Sequence, residues 1–169
     1  MRKELENQLA EKFPFMKRGK NMSEQRAEGY IGDLYGAFGC ECGDGWYSLL
    51  HDLCEEITAV YEKAGVPIDI KPAQIKEKYG GLRYYFDFVG SEQAIHAMDY
   101  AGKGIRYKVE SSELHEQINE IVSRYEEKSE TVCEDCGKDG KLRNDIGWIR
   151  TLCDTCHEKE KERNSPLFR

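Results

Sequence analysis

Four cysteines near the C-terminal end constrain this chain more than any other feature. Cys133 and Cys136 form one C-x2-C pair, Cys153 and Cys156 form a second, and sixteen residues separate them. A two-residue gap lets both sulfurs of a pair reach one ion while backbone amides turn toward them. A connecting loop of roughly 15–20 residues then brings the second pair round to complete a tetrahedron. The spacing predicts a zinc-ribbon-like knuckle in which Cys133, Cys136, Cys153 and Cys156 hold one zinc ion. Four protein ligands leave no position for water, so the metal is expected to be structural and to carry no reaction. Core cysteines without metal and an iron–sulfur cluster are the alternatives. His157 could replace Cys156 as a ligand, but adjacent residues rarely point at one ion, so it is expected to be an exposed helix residue. Trp148 and Ile149 are expected to pack over the ribbon.

The rest of the chain must supply a core to which such a knuckle can attach. Its 169 residues suffice for one domain and a small appendage, and 39% hydrophobic with 34% charged side chains argues for a packed core under a solvated surface. No apolar run approaches the roughly 20 residues that span a bilayer. The opening "MRKELENQLAEKF" is an amphipathic charged pattern without the apolar centre of a secretory signal. The expectation is a cytoplasmic protein with no membrane partner, where seven cysteines read as metal ligands or core residues before disulfides. Residues 27–130 carry ten basic and twenty acidic side chains within a net charge of −7. That excludes a broad cationic face for duplex nucleic acid.

Periodicity outlines the elements. Leu5, Leu9 and Phe13 mark a helix over 2–12, ended by Pro14. Residues 17–26 read as loop, and the glycine-rich stretch after them as tight turns around buried Tyr30, Tyr35 and Phe38. Its glycines lack the spacing of a phosphate-binding loop. Asp44 is a candidate N-cap for a helix with Trp46, Leu49, Leu50, Leu53, Ile57, Val60 and Tyr61 on one stripe, stopped at Gly65. "VPIDIKP" and "LRYYFDF" alternate like strands. Between them "AQIKEKYGG" is a strand leading to a Gly80-Gly81 turn, or one turn of helix. Ser91 is expected to cap a short helix to about Ala101, and Ser111 or Ser112 a longer one carrying Leu114, Ile118, Ile121, Val122 and Tyr125. The tail from residue 158 is expected to fray. Together these predict an α+β fold: helices, a small antiparallel sheet and the C-terminal zinc-ribbon-like knuckle. Residues 1–130 form the body, and residues 131–169, knuckle and charged tail, dock on it.

Two further groups bear on function. Cys40, Cys42, His51 and Cys54 have the spacing for a second metal site, but Cys54 fits the helix core and His51 its exposed side. The acids Asp52, Glu55 and Glu56 disfavour a reactive thiol. His96 and His115 read as surface residues. In "KPAQIKEKYGGLRYY", Lys71, Lys76, Lys78 and Arg83 outnumber Glu77, with Tyr79, Tyr84 and Tyr85 between them. Arginine can fork onto a phosphate and tyrosine can stack on a base. Lys76, Lys78, Tyr79, Arg83 and Tyr85 are therefore the candidate binding residues for a small, nucleotide-like anion. The alternative is a solvated hairpin whose aromatics are core.

Three phrases, "CGDGWYSLLHDLCEEI", "IKEKYGGLRYYFDF" and "CEDCGKDGKLRNDIGWIRTLCDTC", resemble a family of small uncharacterised bacterial and bacteriophage proteins over about residues 40–156. That family often has histidine where Cys156 stands, an exchange that keeps zinc binding. The resemblance implies that the phrases belong to one integrated unit, and it carries no activity. "LCDTCHEK" also resembles the last knuckle of zinc-supported HNH nucleases, but residues 137–152 lack the histidine those enzymes need. With no nucleophile–base pair and no open metal position, the expectation is a binding protein rather than an enzyme. Its partner would be a small anionic ligand or another protein; in a phage, sequestering a host signal nucleotide would serve counter-defence. The rivals are a nucleic-acid-binding regulator using Lys138, Lys141, Arg143 and Arg150, whose charge Glu134, Asp135, Asp139 and Asp145 offset, and a hydrolase built on His51 or His96.

Overall fold

A computed structural model gives the fold. It describes residues 1–29, 32–89 and 112–164, and the backbone of 98–100 and 103–105. Helix α1 spans Lys3–Lys12, α2 Met22–Ala27, α3 Leu34–Phe38, α4 Tyr47–Ala64, α5 Glu113–Ser129 and α6 Asp154–Asn164. The strands are β1 Cys40–Glu41, β2 Ile70–Lys78, β3 Gly81–Phe88, β4 Met98–Tyr100, β5 Lys103–Ile105, β6 Lys141–Arg143 and β7 Arg150–Leu152. The α+β expectation holds. β2 and β3 form the antiparallel hairpin of a three-stranded sheet, β1 joins β2 in parallel, and β4–β5 and β6–β7 are separate antiparallel pairs.

The core lies between α4, α5 and the hairpin. Leu49, Leu50, Leu53, Cys54, Ile57 and Tyr61 recur at three- and four-residue steps along α4, so one face is wholly apolar and buried. Each large side chain so buried stabilises the fold by about 1.5–3 kcal/mol. Gly65 ends the helix in the left-handed conformation at φ 68°, as expected of a glycine stop. From α5, Ile118, Ile121, Val122 and Tyr125 meet α4, and from β3 the alternating Leu82, Tyr84, Phe86 and Phe88 face the same core.

The hairpin settles the ambiguity at residues 73–81. The segment is strand through Lys78, with a register shift between Pro72 and Gln74. A strand tolerates proline only where no ladder bond is asked of its nitrogen, and β1 covers β2 only at Ile75 and Lys76. The turn is Tyr79-Gly80 rather than Gly80-Gly81, since Gly81 pairs with Lys78. Both turn residues are left-handed, at φ 55° and 80°, which is the two-residue turn whose twist matches the strands. Tyr79 is the one described non-glycine residue with positive φ.

Several expectations are corrected. Residues 22–27 are helix, because Asn21 accepts from the Ser23 and Glu24 amides while the Glu24 carboxylate takes the Asn21 amide. Leu34–Phe38 is a short helix capped by Asp33, and Phe38 is exposed; Tyr30 lies outside the described residues. Asp44 does not cap α4. It opens a 3-10 turn over Asp44–Trp46, and its carboxylate accepts from the Arg2 backbone amide at 2.7 Å. Alternation at Val66 and Ile68 does not make strand, which begins at Ile70, and both residues are exposed. Residues 98–100 are strand, not the end of a helix; Ser91 and His96 lie outside the described residues. Ser112 caps α5 by accepting the His115 amide. The tail holds its helix to Asn164. No helix among the described residues is long and apolar enough to cross a membrane.

Side chains of α5 bond to backbone amides along β3. The Leu82 amide donates to Ser129 Oγ and the Tyr84 amide to Glu126 Oε1, both at 2.8 Å. These acceptors satisfy two strand amides that would otherwise be left unpaired among the described residues. Ser129→Ala leaves the buried Leu82 amide without that acceptor, so chemical denaturation should show a loss of about 1–3 kcal/mol; an unchanged midpoint would show the bond to be dispensable.

Candidate metal centre and the surface it clasps

The expected cysteines converge. The Sγ atoms of Cys133, Cys136, Cys153 and Cys156 all lie within 4.8 Å of one another, and those of Cys136 and Cys153 are 3.6 Å apart. A tetrahedron with metal–sulfur bonds of about 2.3 Å has edges of about 3.8 Å, so the spacing suits one ion at the centre. A disulfide needs about 2.05 Å, and all seven cysteines are free thiols.

Local backbone shapes each knuckle. The Gly137 amide returns to the Cys133 carbonyl at 2.8 Å, with Gly137 at φ 77°. At the start of α6 the Cys156 amide donates to Cys153 Sγ at 3.4 Å. That donor brings the Cys153 thiol down to about 7. Burial pushes the thiols of Cys133 and Cys156 up, and only a cation at the centre would hold all four as thiolates. Among the described residues the donor set is four sulfurs and no oxygen, which fits a closed site for a tetrahedral, sulfur-seeking ion.

His157 is not exposed. It is 4% accessible, and its Nε2 lies 2.7 Å from Asp145 Oδ1. α6 sends Cys156 to the metal position and the next side chain back onto the β6–β7 loop. Hydrogen bonds from Lys161 and then His157 hold the Asp145 carboxyl at about 2.

The knuckle is built into the body through glycines. The Gly45 amide donates to the Glu134 carbonyl at 2.7 Å, the Gly43 amide to Glu134 Oε1 at 2.9 Å, and Trp46 Nε1 to the Val132 carbonyl at 2.8 Å. A Cβ on Gly45 would strike the Cys133 carbonyl and the amides of Cys136 and Gly137. Close backbone approach, rather than turn geometry, is therefore what "CGDGW" requires. Arg150 completes the junction, with Nε 3.0 Å from Glu134 Oε2 and Nη2 2.6 Å from Asp135 Oδ1. Burial pushes the Glu134 carboxyl up despite Arg150, whereas Arg150 rises against its own burial under the pull of Glu134 and then Asp135. The same upward direction disfavours charge on Glu134, where burial outweighs Arg150, and favours it on Arg150, which faces more than one acid.

The same ribbon grips the hairpin tip. Thr151 Oγ1 donates to the Gly80 carbonyl at 2.7 Å, and the Leu142 side chain lies against Gly80. One carboxylate joins the two parts: Glu77 Oε1 accepts the Gly80 amide at 2.6 Å, and Glu77 Oε2 accepts Trp148 Nε1 at 3.2 Å. Trp148 was expected over the ribbon, yet it is 64% exposed, with Leu142 and Ile149 also exposed. No apolar periodicity in "NDIGWIRT" marks an inward position for it. Neither Glu77 nor Leu142 is singled out as a contact residue by the sequence.

The candidate ligand residues occupy the adjoining hairpin. Lys76 Nζ lies 5.3 Å from the Tyr85 ring centre and Lys78 Nζ 5.5 Å from that of Tyr79. Tyr79 is 55% exposed, and Tyr85 is half-buried. Arg83 is 7% exposed, and its Nη1 donates to the Leu82 carbonyl at 2.8 Å. Three of the four ribbon cations are paired: Arg150 with Glu134 and Asp135, and Lys141 and Arg143 with Asp154.

Cys40, Cys42 and Cys54 are buried, and burial first of all raises their thiols, Cys40 to about 12. Neither a thiolate nucleophile nor a second cysteine site results. The only other metal-capable cluster among the described residues is His51, Asp52 and Glu55. Lys12 Nζ lies 2.8 Å from His51 Nε2 and 2.7 Å from Glu55 Oε1, where an ammonium already supplies the positive charge. His115 is more than a surface residue: it stacks on Phe88 with ring centres 3.6 Å apart, and its Nε2 lies 3.2 Å from Asp69 Oδ2.

Comparison with protein-family models, curated proteins and solved structures finds no match to the chain. The site is therefore read from its own geometry. Gly45→Ala should separate knuckle from body at a cost of about 1–3 kcal/mol, the usual penalty for forcing atoms into a packed site, visible as a lowered thermal midpoint; an unchanged midpoint would mean that the close approach does not matter.

Proposed function

We propose that the chain is a zinc-stabilised binding protein with no catalytic role for its metal. It presents the β2–β3 hairpin to a nucleotide-like anion. Zinc is the ion that best suits four thiolates at tetrahedral spacing. The observation that carries the reading is the clasp of Thr151 on the Gly80 carbonyl, which ties the metal-bound ribbon to the tip of the candidate binding segment. A closed sulfur cage has no place for a reacting water, so its use is rigidity. Beside it Lys76 and Lys78 sit against tyrosine rings, a pairing of positive charge and flat π surface that suits phosphate and base together.

Purified protein should carry one zinc per chain by native mass spectrometry. Stripping the metal should unfold residues 131–164 and destabilise the whole, since structural zinc contributes on the order of 10 kcal/mol in small zinc modules. Protein that is fully folded and metal-free would overturn the scaffold role. Calorimetry with a panel of mono-, di- and cyclic nucleotides tests the ligand. Lys76→Ala should weaken the best binder by about 1 kcal/mol or more, as loss of a charge-assisted contact does. A panel with no binder, or a variant that binds as wild type, would sink the proposal. Lys76 is the cleaner choice, because Arg83 is buried and its removal also perturbs folding.

A further inference from the structure

Two aromatic rings are held out into solvent at a cost. Tyr79 occupies a left-handed turn position, φ 55°, where asparagine or glycine is the unstrained choice and a bulky side chain is an outlier. It nevertheless leaves 55% of its surface exposed, so no core packing offsets the strain. Strain kept where nothing in the fold rewards it is a mark of a working position. Trp148 is more exposed still, yet its indole is fixed by the bond to Glu77 Oε2. The same carboxylate braces the turn that carries Tyr79, through the Gly80 amide. Both mounts thus hang on one side chain, with exposed Leu142 against Gly80 as an apolar floor.

We infer that Tyr79 and Trp148 are two stacking platforms of one site for single-stranded nucleic acid, with Lys76 and Lys78 contacting its phosphates. This rests on the binding reading above and narrows its ligand. A single nucleotide has one base and can use one platform, whereas unpaired strand offers successive bases to both. Stacking tolerates any sequence because every base has a π-face, and Lys76 and Lys78 supply local positive charge in a chain of net charge −7. Duplex needs a cationic face that the neutralised ribbon does not supply. Bases enclosed in a helix also hide the faces these rings would meet.

The test uses zinc-loaded full-length protein, a labelled oligo(dT) 15-mer, thymidine monophosphate and a 15-base-pair duplex. The 15-mer should quench intrinsic fluorescence. That signal belongs to Trp148, because Trp46, the other of the two tryptophans, is fully buried. By anisotropy the 15-mer should bind at least about tenfold more tightly than either competitor, and its affinity should fall with salt with a log–log slope of about −1.4, the value for two phosphates on single strands. Trp148→Ala and Tyr79→Gly should each lose about tenfold or more, the effect of removing one stacked ring. Tyr79→Gly should also raise the thermal midpoint by relieving the turn, which separates lost binding from lost folding. Monophosphate binding as tightly as the 15-mer would overturn this inference while leaving the nucleotide reading intact. Equal binding by duplex, variants that bind as wild type, or no binding of any nucleic acid would overturn it as well.

Discussion

The backbone contact between Gly43–Trp46 and the first cysteine knuckle is the constraint on which the rest depends. Gly45 donates to the Glu134 carbonyl, and its α-carbon sits against Cys133, Cys136 and Gly137 with no room for a methyl group. Such proximity places the sulfur cage beside the N-terminal end of α4, the helix that organises the core. From there β7 reaches the hairpin turn, so body, ribbon and sheet meet at one junction. The three phrases "CGDGW", "KYGGLR" and "WIRTLC" supply its sides. Four sulfurs closed on one ion would be rigid, and that rigidity would reach the body because backbone, not flexible side chains, makes the contact.

Charge within the junction is arranged for fit more than for energy. Glu134 is buried with Arg150 and the Gly43 amide, and burial still works against its charge. A buried pair of this kind is weak evidence of stabilisation, because removing two charges from water costs about what their attraction returns. Its use here is orientation: Arg150 bridges Glu134 and Asp135 of the first knuckle from the strand that leads into the second. A similar arrangement fastens the other end of the molecule. Buried Glu6 accepts the Cys40 amide at 2.6 Å and lies 3.2 Å from Arg18 Nη1, while Arg18 Nη2 donates to the Gly36 and Ala37 carbonyls. Apolar burial along α4, α5 and β3 supplies the stability, and these polar anchors choose among the ways of packing it.

The strained turn and the exposed indole stand apart from that economy. Other large apolar side chains are exposed too, Phe38 and Val89 among them, but among the described residues only the hairpin tip joins such exposure to a non-glycine residue at positive φ. Local conflict in an otherwise consistent fold marks the place where selection acts on something besides folding. Here the conflict coincides with the positive charges of Lys76 and Lys78 and with a turn braced by the cysteine-bearing ribbon.

Much of this was legible in the residues. Helix α4, with its three- and four-residue apolar steps and glycine stop, the alternation of β3, and the convergence of four cysteines that could hold a metal all follow from local rules, because period and spacing are properties of the chain itself. Helix α2 was legible too, since Asn21 and Glu24 form a capping box that reading the segment as loop overlooked. What no local rule contains is which surfaces meet. His157 looked exposed because its neighbours are charged, and it is buried because Asp145 comes to it across the ribbon. Trp148 looked like packing and is solvent-facing because Glu77, 71 positions away in sequence, holds its indole. Asp44 looked like a cap and is instead bound by Arg2. The sequence by itself determined the long helices, the hairpin strands and the meeting of the four cysteines, since these depend on period and spacing along the chain. Only the tertiary structure decided what the glycines are for and where the aromatic surface lies, since both depend on contacts made across long loops.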